Sequence, residues 1–424
     1  MSSALESETI AAISTAPGRA ALSVVRLAGP DAFAVASKMV RGKLPSPGSF
    51  ARRRLLDSLG RTIDDAIVLV FASPRSYTGE DSVEFHCHGG SVTPSRVLSE
   101  CINNGARLAG KGEFTYRAVM AGKLDLDEAE AVLDLINAKT ASAADDALAG
   151  IEGEASKTAK RLYNLATGIS AQIEHSLDID EDELPESFFA SLNNAILGFK
   201  SALEDALDRE RRKKIMRDGA LVVLVGPPNA GKSSLMNALL GEDRAIVSAE
   251  AGTTRDAIEA WLNADGFPVR LVDTAGIRDA ESAIEEEGVR RAERLAARAD
   301  IVIALDSGET HFGEDESRII RVHSKCDLGY GEGLNVSSVT GEGLNDLLAE
   351  ITRRISAIDR SDDSRHSYVY SGALAELALD GENADLVIRA NTMRRIATSI
   401  AALIGAEYTR DMLENLFSRF CIGK

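Results

Sequence analysis

The sequence predicts a multidomain protein of α/β and α class: an N-terminal α+β domain, a helical domain built from two separated segments, and an α/β domain inserted between them. Three observations predict it. Short apolar, β-rich runs broken by glycine and proline fill the first part of the chain; apolar residues at helical spacing take over after Lys123 and return after Ile358; between these helical stretches a continuous apolar strand runs into a glycine-rich loop. A length of 424 residues fits about two to four domains at roughly 100–200 residues each.

In order along the chain, Ser23-Val24-Val25-Arg26-Leu27 and Ala66-Ile67-Val68-Leu69-Val70-Phe71 read as strands of a first domain at 1–122. Asp125 and Glu128 form a helix-capping pair ahead of Ala129, Val132, Leu133 and Ile136, which opens the first helical segment, 123–218. Within it the acidic stretch Asp178 to Glu186 reads as a solvated loop, and the basic run Arg209 to Lys214 as a helix end, where cations suit the dipole. Leu221 to Val225 is the buried strand that opens the inserted domain, 219–356. From 357 to 424 helical periodicity resumes through Leu386, Ile388, Ile396, Ile400, Leu403 and Leu416, and these helices are expected to pack on those before the insert.

Composition bounds the function. Hydrophobic residues make up 44% and charged residues 27%, with no apolar run long enough to span a bilayer, so a soluble protein without a membrane partner is expected. The start of the chain has neither a basic leader nor an apolar stretch, and the four cysteines are far apart with no CxxC pair, which suits a reducing cytoplasm. His86-Cys87-His88 puts only two imidazoles on one face of a strand, too few for a zinc site. A formal charge of −18 argues against non-specific nucleic-acid binding over the whole surface; an RNA partner must use a local patch.

Gly226-Pro227-Pro228-Asn229-Ala230-Gly231-Lys232-Ser233 is a P-loop in its required context, after a strand and before an amphipathic helix that begins at Ser234. Glycines let backbone N–H groups converge on phosphates; Lys232 reaches the β- and γ-phosphates and Ser233 binds Mg²⁺. Asp273-Thr274-Ala275-Gly276, after the apolar strand Val269 to Val272, supplies the acid of the magnesium shell, while Thr253 and Thr254 between the motifs suit a switch loop. The insert is therefore predicted to be a Ras-like P-loop G domain.

Base identity is read by Ser324-Lys325-Cys326-Asp327 and by Ser337-Ser338, since the Asp327 carboxylate can accept from N1–H and the N2 amine of guanine, which adenine does not offer. The first residue of this motif is usually Asn; Ser324 departs from that, and the chain between Asp306 and Ser324 is short. Ile277 occupies the place where Ras-like enzymes use a Gln to orient water, so another group must do so. Glu285, Glu286 and Glu287 are candidates, with Arg255 and Arg278 available to offset charge.

These motifs, together with Pro17-Gly18-Arg19, Ser76-Tyr77-Thr78-Gly79-Glu80-Asp81 and the final Cys421-Ile422-Gly423-Lys424, resemble the MnmE (TrmE) family of tRNA-modification GTPases over nearly the whole chain. The resemblance implies an N-terminal tetrahydrofolate-binding domain that dimerises, so that the protein is a homodimer, and a potassium ion in place of an arginine finger. That ion would be held by Asn229 and by backbone oxygens of the loop Ser248 to Thr253, among them Ser248, Glu250 and Thr253. It also implies GTP contacts through Asn229 to Ser234, through Ser248-Ala249-Glu250-Ala251-Gly252-Thr253-Thr254, through Asp273 to Gly276, and through Ser324, Lys325, Asp327, Ser337 and Ser338. Magnesium would be held by Ser233, Thr254 and, through water, Asp273; catalysis would use Glu285 with Lys232 and Arg255.

Folate, as the 5-formyl or methylene form, would be held by Arg26, Glu84, Lys123 and Lys424. The implied activity is GTP hydrolysis coupled, with an MnmG (GidA)-type FAD protein, to wobble-uridine modification of tRNA. Cys421 stands equally as a nucleophile or as a packing residue. Two other classes compete: a folate- and tRNA-binding scaffold without turnover, and a ribosome-assembly GTPase, which would lack the Tyr77-to-Asp81 segment and the Cys421-to-Lys424 tail.

Overall fold

In the computed structural model the described residues are 8–177, 179, 184–246, 258–274, 294–306, 316–358, 364–380, 385–404, 413 and 416–423. They form two compact units: Met1–Leu133 with Glu407–Lys424, and Asp134–Ala406. The acidic stretch from Asp178 lies largely outside the described residues.

The first unit is α+β. Its elements run β1 (Ile10–Ile13), β2 (Leu22–Ala28), α1 (Ala32–Met39), β3 (Ser49–Leu56), β4 (Thr62–Phe71), β5 (Ser82–His88), α2 (Val92–Asn103), β6 (Arg107–Leu108), α3 (Glu113–Met120) and the start of α4 (Leu126–Asn137). Among the described residues the sheet order is β3-β4-β5-β2-β1-β6, antiparallel except for the β1–β6 pair. Alternation along the strands sends Val25, Leu27, Val68, Val70, Val83 and Phe85 into a core closed by Val35 and Met39 of α1 and Val97 and Cys101 of α2. The registers Phe50↔Leu69, Leu69↔Glu84 and Glu84↔Arg26 put one residue of each of four neighbouring strands in a row on the opposite face.

The predicted capping pair forms: the Asp125 N–H donates to Glu128 Oε2 and the Glu128 N–H to Asp125 Oδ1, each at 2.8 Å. Leu416, Phe417 and Phe420 pack in this unit against Val119, Ala129 and Leu133. Leu416 was expected on the face of the later helices; its periodicity identified an apolar face but not the partner that covers it.

The second unit carries α5 (Ala141–Ile151), α6 (Glu154–Ser176), α7 (Glu186–Asp218), β7 (Ala220–Val225), α8 (Lys232–Arg244), β8 (Ala245–Ile246), β9 (Ile258–Ala264), β10 (Phe267–Asp273), β11 (Ile301–Leu305), β12 (Ile319–His323), β13 (Leu334–Asn335), α9 (Leu344–Ser356), α10 (Arg365–Asp380) and α11 (Leu386–Ile404). Helices from both sides of the insert share one core: Leu162, Ile169 and Ile173 of α6, Phe199 and Leu203 of α7, Tyr370 of α10, and Met393, Ile396 and Ile400 of α11. Ile388, expected on that face, is instead 52% exposed. The basic run Arg209 to Lys214 lies inside α7 and finds partners along it, Arg211 with Asp208 at 3.1 Å and Lys213 with Glu210 at 2.8 Å.

The insert is a sheet ordered β13-β12-β11-β7-β10-β9-β8 among the described residues, parallel from β13 to β10, with helices α8 and α9 over one face and residues 295–299 over the other. The β9–β10 hairpin reaches the helical part of the unit. Thr140 Oγ1 donates to the Gly266 carbonyl at 2.7 Å, Lys139 lies over the Trp261 ring at 5.7 Å, and the Arg212 guanidinium lies over Phe267 at 5.3 Å. Gly266 has φ +91°, and a Cβ there would stand 2.5 Å from Ser142 Oγ, so only glycine fits that turn. Among the described residues no helix is long and apolar enough to cross a membrane.

Candidate active site

The P-loop leaves the buried strand β7 and enters α8, which begins at Lys232, two residues before the expected start. Gly226, with φ +151°, lies so close to β11 that a Cβ would meet the Leu305 carbonyl oxygen at 2.4 Å. Asn229 at φ 63° and Gly231 at φ 89° then turn the loop over the start of α8, where the first backbone N–H groups have no intrahelical acceptor. Lys232 is buried, and its Nζ donates to the carbonyls of Gly226 and Pro227 at 2.9 and 2.8 Å, which holds the ammonium inside the loop.

Ser233 Oγ donates to Asp273 Oδ2 at 2.5 Å. Asp273, fully buried at the end of β10, is brought there by the parallel pairing of Asp273 with Leu224, and Thr274 Oγ1 fastens the same junction by donating to the Leu224 carbonyl at 2.8 Å. A hydroxyl and a carboxylate converging at a helix N-terminus beside the lysine are the hard oxygen donors that magnesium prefers, so these residues fit that ion. Asn229 stands exposed at the loop tip, where its carbonyl accepts from Lys325 Nζ at 3.0 Å.

The Ser324-Lys325-Cys326-Asp327 loop, expected to read the base, follows β12. Asp327 Oδ1 accepts from Ser337 Oγ at 2.5 Å, and Ser337, itself buried, also accepts from the N–H groups of Val339 and Thr340, so the carboxylate is held in one orientation; Ser338 follows in the same turn. Ser324 ties this loop to the P-loop: its hydroxyl lies 2.7 Å from the Ala230 carbonyl and 2.6 Å from Asp306 Oδ2, two acceptors for a single proton. Asp306 also accepts the Ser324 N–H at 3.1 Å and pairs with His323 at 3.0 Å. Sequence reasoning missed Asp306, whose only signal was an acid at the end of an apolar strand.

Of the remaining nucleotide candidates, Ser234 lies in the first turn of α8. Ser248 to Thr254, Arg255, Ala275, Gly276 and the glutamates Glu285 to Glu287 lie outside the described residues, as does Lys424.

In the first unit Arg26 and Glu84 are directly opposed across β2 and β5 and pair at 2.9 Å. The guanidinium lies over the rings of Tyr77 and Phe114 at 5.4 and 5.5 Å. Neither ring was among the predicted site residues. Lys123 Nζ donates to the Pro74 carbonyl at 3.1 Å, beside the loop that contains Thr78 and Gly79. That loop is braced by Tyr77 on Thr115 at 2.9 Å and by Glu80 on the buried Arg117 at 3.2 Å. Burial pushes the Glu113 carboxyl up, but hydrogen bonds from Arg107, the Gly110 N–H and Arg117 outweigh it and hold the group at about 2. His86 and His88 pair with Glu84 and Asp64. Burial pushes the Cys87 thiol up to about 11 and Cys101 to about 12, whereas Cys421 is exposed.

With the P-loop lysine turned inward beside the buried Asp273, and Asp327 oriented on the far side of the loop, the inserted domain is of the P-loop GTPase class. Residues 9–123 match the family model for the N-terminus of the GTP-binding protein TrmE, and residues 126–421 match that for the MnmE helical domain. The tRNA modification GTPase MnmE of Neisseria meningitidis serogroup B is 36% identical over 98% of this chain and 99% of its own, and that of Paramagnetospirillum magneticum is 35% identical over 99% and 100%. The chain belongs to the MnmE family. Among solved structures, the G domain of the T. maritima FeoB iron transporter is 26% identical over 32% of this chain and 98% of its own with a TM-score of 0.24, a superposition too poor to carry an inference.

Proposed function

We propose that this protein is a potassium-dependent GTP hydrolase which, as a homodimer in the cytoplasm and with an MnmG (GidA)-type FAD protein, modifies the wobble uridine of tRNAs with a folate-derived one-carbon unit. The observation that carries the hydrolase reading is the hydrogen bond from the exposed Ser233 hydroxyl to the buried Asp273 carboxylate at the mouth of the P-loop. Membership of the MnmE family supports the tRNA substrate. The reading keeps the domain plan 1–122, 123–218, 219–356 and 357–424, although the compact units divide at Leu133 and Glu407.

In this mechanism Lys232 leaves the carbonyls of Gly226 and Pro227 to reach the β- and γ-phosphates, and the N–H groups at the start of α8 hold the phosphate oxygens. Ser233 and Thr254, with Asp273 through water, would hold magnesium, and Asn229 with Ser248, Glu250 and Thr253 would hold potassium; these ions supply positive charge to the phosphates in the transition state. Glu285 orients the attacking water where Ile277 cannot, Arg255 offsets charge, and Asp327 selects guanine. In the first unit Arg26, Glu84, Lys123 and Lys424 hold the folate, whose bound form supplies the one-carbon unit; the partly exposed Tyr77 ring beside Arg26 supports a planar ligand there.

Steady-state GTP hydrolysis in potassium chloride and in sodium chloride at equal ionic strength tests this. Hydrolysis that needs potassium and falls by on the order of 10²–10⁴ in Glu285→Ala supports it. Equal rates in both salts would sink the ion mechanism, and no turnover in either would favour a binding scaffold.

A further inference from the structure

Arginine accumulates at one edge of an otherwise acidic molecule. Between Lys38 and Leu56 the chain carries Lys38, Arg41, Lys43, Arg52, Arg53 and Arg54 and no Asp or Glu, against a formal charge of −18 for the whole. All but Lys38 line a groove of about 470 Å³ along the edge strand β3, with Asp65 the acid among them. Arg52 is paired with Asp65 at 2.7 Å, and Arg53 uses its guanidinium on the carbonyls of Lys43 and Arg52. Arg41, Lys43 and Arg54 are exposed and have no carboxylate within ion-pair distance among the described residues.

The common structural reason for cations on an edge strand is to repel a second strand. Here the Arg54–Leu55 end of that edge is already occupied: the Arg41 N–H donates to the Arg54 carbonyl at 2.9 Å and Val40 bridges Leu55. The register also decides where the charges point. Phe50 lies in line with Leu69, Glu84 and Arg26, so Arg52 and Arg54, two and four residues on, share their face. Three strand spacings of about 4.8 Å put β3 roughly 14 Å from β2, which carries Arg26. Guanidinium forks match phosphate oxygens in pairs, and a row of them along a strand suits a repeating phosphate chain.

We infer that this arginine-lined groove binds the phosphate backbone of an RNA and holds it at the rim of the sheet face that carries Arg26 and Glu84. The inference rests on the tRNA substrate proposed above. It is tested with the full chain carrying Arg41→Gln, Lys43→Gln and Arg54→Gln together, by fluorescence anisotropy of a labelled tRNA from about 50 to about 200 mM potassium chloride. Loss of about three phosphate contacts should weaken binding about tenfold or more at the lowest salt and reduce the slope of log K against log salt by about two to three. GTP hydrolysis and thermal midpoint should stay at wild-type values. An unchanged affinity and slope overturns the inference, and association of such a variant beyond the oligomeric state of the wild type would assign the charges to edge protection instead. Loss of affinity for a polyglutamylated folate with tRNA binding intact also overturns it, by giving the groove to a carboxylate chain. A wild-type protein that binds no tRNA at any salt removes the substrate reading itself, which separates that failure from failure of the groove.

Discussion

In the inserted sheet the candidate residues lie at the C-terminal ends of parallel strands, Gly226 after β7, Asp273 closing β10, Asp306 after β11 and Ser324 after β12, whereas in the first unit Arg26 and Glu84 stand mid-strand on an antiparallel sheet. The difference is one of who satisfies the polar groups. At the ends of parallel strands, loops and helix N-termini leave backbone groups to be completed by a ligand. On the antiparallel face Arg26 already has its carboxylate and two aromatic rings, so any ligand there, the proposed folate included, would have to replace a pairing that the protein has made for itself. The parallel-strand site should therefore be costly for activity and cheap for stability when altered, and the antiparallel face less sharply divided.

The largest expected effect is at Asp273. Asp273→Asn keeps an acceptor for Ser233 but removes the charge, and should lower kcat for GTP by on the order of 10²–10³ while leaving the thermal midpoint within a few degrees. A variant that unfolds as readily as it loses turnover would break the contrast.

Glu113, in the brace behind the Thr78–Glu80 loop, should show the opposite balance. Its folded carboxyl is held at about 2, below the ordinary value of 4.5, so its stabilisation is fully present above about pH 4.5 and is lost as pH falls toward 2. Glu113→Gln should cost on the order of 2–3 kcal/mol at pH 7. By calorimetry, the gap between wild type and variant should close between about pH 4.5 and pH 2. A gap that persists to the bottom of that range would remove the ion network as its cause.

Ser324→Ala should weaken guanine-nucleotide affinity about tenfold, measured by titration with a fluorescent GDP analogue, because the link between Ala230 and Asp306 is lost. An unchanged affinity would mean that Asp306 holds the loop through the Ser324 N–H alone.

A smaller effect on stability than at Glu113 is expected for Arg26→Met, on the order of 1–2 kcal/mol, since the pair it breaks is largely shielded from water but Glu84 keeps His86 at 3.2 Å. Folate binding by calorimetric titration should fall well beyond that. If stability and folate binding fall together, the pair is structural and the antiparallel face is not a site in the sense that the P-loop is.

How much could be read from the residues alone follows the same division. The P-loop and Asp273 were legible because their chemistry is carried by local spacing in a strand–loop–helix context, and the Asp125–Glu128 cap because its partners are three residues apart. Asp306 was not legible, since its role needs the parallel alignment of β11 with β12 to bring it to Ser324. The grip of Tyr77 and Phe114 on Arg26 was equally hidden, because it joins a loop, a helix and a strand far apart in sequence. Leu416 went to the first unit for the same reason: a periodic stripe states that a face is apolar and leaves open which surface covers it.

The hairpin of β9 and β10 is held at its closed end by Thr140 and Arg212 and midway along β9 by Lys139 over Trp261, while its open end leads to residues 247–257 on one side and 275 onward on the other. A beam clamped at its tip cannot swing. Any displacement imposed at the Asp273 end of β10 must carry β7 with it, bend the two strands or load the Thr140–Gly266 bond, so the start of α5 and the end of α7 would register, as mechanical force, events at the other end of the sheet.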